Sequence, residues 1–241
     1  MAGTPGTDPI RNIFFDLDHT LWDYDRNARH ALLHLHTHLG LETWGFADAA
    51  GFADAFLEAN NAVWELFHRA GMEPETLRLR RLEMVFEAFG LIPQDIPGFH
   101  PAFLEHCSQG KALFPNCLPV LAELNKNHVL HIITNGFAES QERKLRFSGI
   151  RDYFSTITTS DETGSRKPQP DFFMKALQKA GAKASESLMI GDGWEADILG
   201  ARSVGIRSIW FNPGSKPCPL KDQIQVRDLS ELPGLIMKLT R

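Results

Sequence analysis

The stretch Ile13-Phe14-Phe15-Asp16-Leu17-Asp18-His19-Thr20 decides the fold. Three consecutive large apolar residues suit a strand buried on both faces, as in a parallel sheet. The run stops abruptly at Asp16 and Asp18, so two carboxylates stand at its C-terminal end. Three further apolar runs come much later, at residues 129–133, 187–190 and 206–211. Helix-period patterns lie among them at residues 137–147, 171–180 and 195–204. Strands alternating with helices of that length read as βαβ units. The predicted fold class is therefore α/β, a Rossmann-like parallel sheet with helices on both faces.

The segment following the first strand reads differently. From about Tyr24 to about Gln109 there is no convincing strand, but apolar residues recur at helical spacing, as in Ala31-Leu32-Leu35-Leu39 and Val63-Leu66-Phe67. Gly71, Glu73-Pro74 and Ile96-Pro97-Gly98 punctuate it as turns between helices. The expected division is a core from residues 1–23 and 110–241, with an all-helical cap from 24–109 inserted as a lid.

Composition bounds the rest. With 241 residues, 43% hydrophobic and 23% charged, the chain has the make-up of an ordinary globular protein. A net charge of -5 disfavours a sequence-independent grip on a nucleic acid polymer, which needs a basic surface. Residues 1–9 lack the charged and apolar regions of a signal peptide, and no apolar run approaches the ~18 residues of a membrane span. Cys107, Cys117 and Cys218 show no motif spacing and read as reduced thiols. The expectation is a cytoplasmic protein without a membrane or nucleic-acid partner.

In open α/β sheets, ligands bind beyond the carboxyl ends of the strands, so the residues at those ends test function. The first strand ends in Asp16 and Asp18, the second in Thr134-Asn135-Gly136, and a later one in Gly191-Asp192-Gly193-Trp194-Glu195-Ala196-Asp197. A loop ahead of the helix at 171–180 carries Arg166-Lys167-Pro168. Carboxylates, a hydroxyl and a lysine thus converge on one rim. Clustered carboxylates repel one another unless a hard divalent cation lies among them, and Mg2+ suits one or two carboxylates plus phosphate oxygens. Thr134, Lys167 and backbone N–H groups near Gly136 are candidate phosphate ligands. The step from Asp16 to Asp18 places one carboxylate for attack and the other beside a leaving oxygen, as covalent catalysis by an aspartate requires.

In order, Asp16-Leu17-Asp18-His19-Thr20, Thr134-Asn135-Gly136, Lys167-Pro168 and Gly191-Asp192 with Asp197 resemble the four motifs of the haloacid dehalogenase superfamily. The helical insert stands where that superfamily carries a cap. The resemblance implies that Asp16 is the nucleophile and a magnesium ligand. It implies that Asp18 protonates the leaving group and then activates water, with its backbone carbonyl on the metal. Thr134 and Asn135 would orient the phosphoryl group, and Lys167 would offset its charge. Asp192 would be a further metal ligand, with Asp197 holding the metal's shell. Family dehalogenases lack an acid at the position of Asp18, so the resemblance points to a phosphatase acting on a small phosphate ester. Asn135-Gly136-Phe137, Gly149-Ile150-Arg151-Asp152-Tyr153-Phe154 and Ser160-Asp161-Glu162 further resemble bacterial pyrimidine 5′-nucleotidases. Pyrophosphate hydrolysis and sugar-phosphate chemistry remain alternatives on the same site.

Other groupings have plainer readings. His30, His34 and His38, with His36 nearby, fall at helical spacing but lack a zinc motif and read as a polar helix face. Arg78, Arg80 and Arg81 read as a solvated face, with contact to an anionic substrate the alternative. Asn60, Asn61, Trp64 and His68 suit a base or sugar, but apolar helical positions are more often core. Trp194 and Glu195 sit between the two late acids, at the expected site mouth.

Overall fold

The computed structural model describes residues 8–70 and 74–239, apart from the side chains at 67–70, 74, 75, 77 and 78. In chain order it contains β1 (Asn12–Phe15), α1 (Tyr24–His38), α2 (Ala49–Ala70), α3 (Pro74–Ala88), α4 (Phe99–Ser108), α5 (Cys117–Leu124) and β2 (Val129–Thr134). There follow α6 (Ala138–Phe147), β3 (Phe154–Thr159), α7 (Ser160–Thr163), α8 (Pro170–Ala180), β4 (Ser187–Gly191), α9 (Gly200–Ser203), β5 (Arg207–Phe211), β6 (Gln225–Val226) and α10 (Leu232–Leu239). The chain forms two compact units, Met1–Asp23 with Lys111–Arg241, and Tyr24–Gly110.

The first unit is a six-stranded parallel sheet of order β3-β2-β1-β4-β5-β6. The order reverses beside β1: the chain runs outward through β2 and β3, then returns to β4 on the other side. Right-handed crossovers in both directions put helices on both faces, and a switch point is where such sheets bind ligands. Phe15 pairs with Ile132 on one side and Ile190 on the other, so the ends of β1, β2 and β4 fall within two residues of one another. On one face Phe14, Ile133 and Met189 pack with Phe172, Phe173, Ala176 and Leu177 of α8 and with Ala201 and Ile206. Full burial of each large apolar side chain contributes about 1.5–3 kcal/mol.

Two strands escape the sequence pattern. β3 carries Thr156, Thr158 and Thr159 among its apolar residues and lies at an edge, where a continuous apolar run is not needed. β6 is two residues long. The helix expected at 195–204 is divided into a π-helical turn, Trp194–Leu199, and α9. In that turn both Asp197 N–H and Ile198 N–H donate to Gly193 O, at 2.8 and 3.2 Å. The wider turn brings Asp197 back over the end of β4. At Gly200 a Cβ would lie 2.6 Å from the Phe173 ring, so α9 and α8 approach this closely only because no side chain intervenes.

The second unit is helical. Phe46, Phe52, Phe56, Phe86, Phe99 and Phe103 are fully buried and form its centre. The arginine cluster does not act as one face. Arg80 pairs with Glu83 and Glu87 at the half-exposed surface, whereas Arg81 lies 4.6 Å from the Phe56 centroid and donates to Asn60 Oδ1 at 2.9 Å. Tyr24 also donates to that oxygen, so Asn60 is a buried structural acceptor. Arg78 and His68 lie outside the described side chains. His34 stacks with His38 and meets His106 at 4.6 Å, while buried His36 shares a hydrogen bond with Phe46 O. Among the described residues no helix is long and apolar enough to cross a membrane. The three cysteines are free thiols.

Candidate active site

The loop after β1 builds the first part of the site. Asp16 N–H continues the ladder to Ile190 O, fixing its side chain at the sheet's end. The next residues wrap tightly: Thr20, Leu21 and Trp22 N–H all point to Leu17 O, and His19 takes φ 63. This turn returns Thr20 beneath the strand end, where its fully buried hydroxyl lies 3.2 Å from Asp16 Oδ2 and 3.1 Å from Asp192 Oδ1. The hydroxyl has one proton to share between them and also accepts Asp192 N–H at 3.1 Å.

Asp16, Asp192 and Asp197 come together, with one carboxylate oxygen of each lying within 4.8 Å of the others. Lys167 Nζ enters from the loop before α8. It donates to Asp16 Oδ1 at 2.6 Å, Asp197 Oδ1 at 2.7 Å and Ile133 O at 3.1 Å, using all three ammonium protons. Asp197 Oδ2 accepts Gly193 N–H at 2.9 Å. A Cβ on Gly191 would lie 2.3 Å from the same oxygen, which explains the glycine at the end of β4. Asp192 is held by its backbone, whose carbonyl accepts Trp210 Nε1–H at 2.9 Å.

The electrostatics follow from counting charges. Three carboxylates face one ammonium, leaving two negative charges in a buried cluster. Burial pushes Asp16 up to about 7 against the pull of Lys167, with repulsion from Asp197 and Asp18 adding to the rise. Burial and the charges of Asp16 and Asp197 hold Asp192 well above the ordinary carboxylate range. Lys167 is raised despite its burial, because Asp16 and Asp197 both stabilise its charge. An all-oxygen donor set carrying two uncompensated negative charges fits a hard divalent cation.

Asp18 stands apart from this cluster. Its carboxylate turns to α6, where Lys144 Nζ donates to Oδ1 and Oδ2 at 2.7 and 2.8 Å and Gln141 Nε2 donates to Oδ2 at 2.9 Å. Burial alone would raise its pKa, but the Lys144 charge and these hydrogen bonds, with a smaller pull from His19, hold it below the ordinary value.

The end of β2 supplies a hydroxyl and a clamp. Thr134 is buried and its Oγ1 accepts Gly136 N–H at 3.1 Å, leaving its own proton to donate outward. The Asn135 side chain does not present itself as a phosphate ligand. Its Oδ1 accepts Lys167 N–H at 2.8 Å and its Nδ2 donates to Lys167 O at 3.0 Å, so it clamps the lysine loop to β2. The Lys167–Pro168 bond in that loop is cis. Nor is the start of α6 an open anion seat, since Ala138 N–H donates to the Asp161 carboxylate. Trp194 packs edge-on against Trp210 at 5.1 Å, and Glu195 is exposed.

Sequence reasoning passed over Thr20, Gln141 and Lys144 as site residues. Thr20 had a signal, being a hydroxyl four positions from Asp16 on a loop too short to leave the strand end. Gln141 and Lys144 had a weaker one: they fall on one face of a helix that starts at the site.

A family model described as haloacid dehalogenase-like hydrolase matches residues 10–205. The chain belongs to the haloacid dehalogenase-like hydrolases. This hydrolase is 31% identical over 208 residues to the pyrimidine 5′-nucleotidase PynA of Streptococcus pneumoniae, covering 83% of each chain. It is 29% identical over 229 residues to the pyrimidine 5′-nucleotidase YjjG of Escherichia coli, covering 94% of this chain and 97% of that one. Among solved structures, the HAD-hydrolase YfnB of Bacillus subtilis, crystallised with magnesium, superposes with a TM-score of 0.83 at 25% identity. That match covers 95% of this chain and 100% of YfnB.

Proposed function

We propose that this hydrolase is a magnesium-dependent phosphatase that cleaves a small phosphomonoester through an aspartyl-phosphate on Asp16, with a nucleoside 5′-monophosphate as substrate. One observation carries the chemistry: three clustered carboxylates, Asp16, Asp192 and Asp197, are balanced by a single lysine. Magnesium, when bound, supplies the missing positive charge and draws the phosphoryl group's negative oxygens to the nucleophile. Asp16, Asp192 and Asp197 are the residues to hold it. The protons that Asp16 and Asp192 bind more tightly than ordinary carboxylates are what a divalent cation would displace.

The chain's own groups account for the rest. Lys167 keeps Asp16 oriented and is itself fixed by Asp197 and by the Asn135 clamp. The Thr134 hydroxyl donates to a phosphoryl oxygen. The Asp16 carboxylate forms a bond to phosphorus while the ester P–O bond breaks, and protonated Asp18 gives its proton to the leaving oxygen. Ionised Asp18 then takes a proton from water as that water attacks phosphorus, releasing phosphate and restoring Asp16. A second carboxyl two residues after the nucleophile favours phosphate ester hydrolysis over dehalogenation. The nucleotide preference rests on the likeness to PynA and YjjG over most of the chain. Free buried thiols and a net charge of -5 agree with a cytoplasmic enzyme of small molecules rather than of nucleic acid polymers.

The test is phosphate release from UMP, dUMP, TMP, AMP, sugar phosphates, phosphoserine and pyrophosphate, with magnesium and then with EDTA. Turnover of the pyrimidine nucleotides above the others, abolished by EDTA and by Asp16→Asn, is expected. Activity that survives EDTA, or an unimpaired Asp16→Asn enzyme, overturns the mechanism. Preference for another ester overturns the substrate assignment.

A further inference from the structure

The seat of Asp18 on α6 is more heavily built than an ordinary surface ion pair. Lys144 and Gln141 are 6% and 1% exposed, and both spend donors on the same carboxylate. The Lys144 ammonium also lies 4.6 Å from the centroid of Trp22, a fully buried ring on the same loop as Asp18. Gln141 reaches Asp18 across the turn that follows β2. A Cβ on Gly136 would fall 1.6 Å from Gln141 Nε2, so the amide passes only because residue 136 has no side chain. The loop backbone is fixed as well, with His19 N–H on Trp22 O and Trp22 N–H on Leu17 O. What remains free in Asp18 is its side-chain torsion, and three hydrogen bonds from one helix set it.

We infer that Lys144 and Gln141 are positioning residues that seat the Asp18 carboxyl for proton transfer; this rests on the phosphatase reading above. A general acid–base must hold its carboxyl within hydrogen-bond reach of the leaving oxygen and then of the attacking water. A short, partly exposed side chain would otherwise sample several rotamers. Lys144 and Gln141 touch neither substrate nor phosphorus. They act through Asp18, receiving its carboxylate after it has given its proton to the leaving oxygen and holding it while it takes one from water.

The experiment uses the full chain with saturating magnesium and p-nitrophenyl phosphate, comparing wild type with Lys144→Met, Lys144→Arg, Gln141→Leu and Asp16→Asn. Each kcat is referred to the folded fraction from thermal unfolding. For Lys144→Met we expect kcat to fall about tenfold to a hundredfold with KM nearly unchanged, a part of the usual worth of a general acid–base. p-Nitrophenolate is a good leaving group, so the first step tolerates a poorly placed acid but hydrolysis of the phosphoaspartate does not. Rapid mixing should therefore show a nitrophenolate burst close to the enzyme concentration. Lys144→Arg should recover much of the rate, and Gln141→Leu should lose less than Lys144→Met. Loss of a merely structural ion pair would lower the melting temperature and leave kcat per folded enzyme unchanged. That result, a rise in kcat, or a fall in rate without a burst overturns the inference. The controls separate this from the parent reading. An inactive wild type sinks both. An active wild type with a dead Asp16→Asn and an unaffected Lys144→Met sinks only the positioning role.

Discussion

Asp16 and Asp18 are two residues apart on one loop, yet their surroundings drive them in opposite directions. Asp16 shares one lysine with Asp197 and crowds Asp192, and its pKa is pushed up to about 7. Asp18 accepts from both Lys144 and Gln141 and is held below its ordinary value. Asp16 is buried and Asp18 partly buried, and desolvation raises both; the ratio of acids to cations is what separates them. A crowded cluster short of positive charge is built to receive a cation, whereas a matched pair is built to hold a side chain in place.

The most forceful way to break the comparison is to neutralise the crowded partner. Asp16→Asn removes the proposed nucleophile and one of three negative charges, and should lower phosphate release by at least roughly 10⁴-fold, as for other nucleophile deletions. It should also relieve repulsion in the metal-free protein, so its urea midpoint without magnesium should equal or exceed that of the wild type. A variant both inactive and much less stable would mean that Asp16 is chiefly a structural partner of Lys167.

Lys167→Met deepens the imbalance instead. Removing one partner of a buried ion-pair network typically costs about 3–5 kcal/mol. Urea unfolding in EDTA should show a loss of that order, and saturating magnesium should restore more stability to the variant than to the wild type. Equal restoration in both would count against a cation among these three acids.

Titration sharpens the contrast without any substitution. Asp16 has a folded-state pKa of about 7 against an unfolded value of 3.8, so the native state binds the extra proton. Its contribution to stability is full below the unfolded value and lost as pH rises toward about 7. Asp192 is shifted in the same direction. Stability of the metal-free protein should therefore fall across this range, by at most about 1.4 kcal/mol per pH unit for each group. Asp18 has the opposite sign: its contribution is present above its unfolded value and lost only as pH falls below it. Saturating magnesium should flatten the neutral limb, and Asp18→Asn should leave that limb intact while altering the acid one. A metal-free stability that stays level from pH 4 to 7 would contradict the crowding of Asp16.

These two neighbourhoods were unequally legible in the sequence. Asp16, Thr134, Lys167, Asp192 and Asp197 are marked by short motifs at ends of apolar strands, and a parallel sheet brings such ends together whatever the loops do. The seat of Asp18 depends on Lys144, 126 positions away, and on the absence of a Cβ at Gly136. Neither dependence leaves a local pattern. The resemblance of Thr134-Asn135-Gly136 to a family motif implies that Asn135 orients the phosphoryl group, but whether an amide faces a ligand or a backbone is settled by the loop opposite, here Lys167–Pro168. β3 was missed for the reason edge strands generally are: half its side chains meet water, so no apolar run announces it.

The smallest effect tests how the crowded cluster is held rather than what it does. Trp210→Phe keeps an aromatic ring against Trp194 but deletes the indole N–H that donates to Asp192 O at 2.9 Å. A neutral hydrogen bond of this kind contributes about 1 kcal/mol, and a buried carbonyl left without its donor adds to the loss. The urea midpoint should fall accordingly. Because Thr20 still holds the Asp192 carboxylate and N–H, magnesium affinity should weaken by less than about tenfold, equivalent to 1.4 kcal/mol. A larger loss of affinity, measured by the magnesium dependence of turnover, would show that the β5 tryptophan rather than Thr20 sets the position of Asp192.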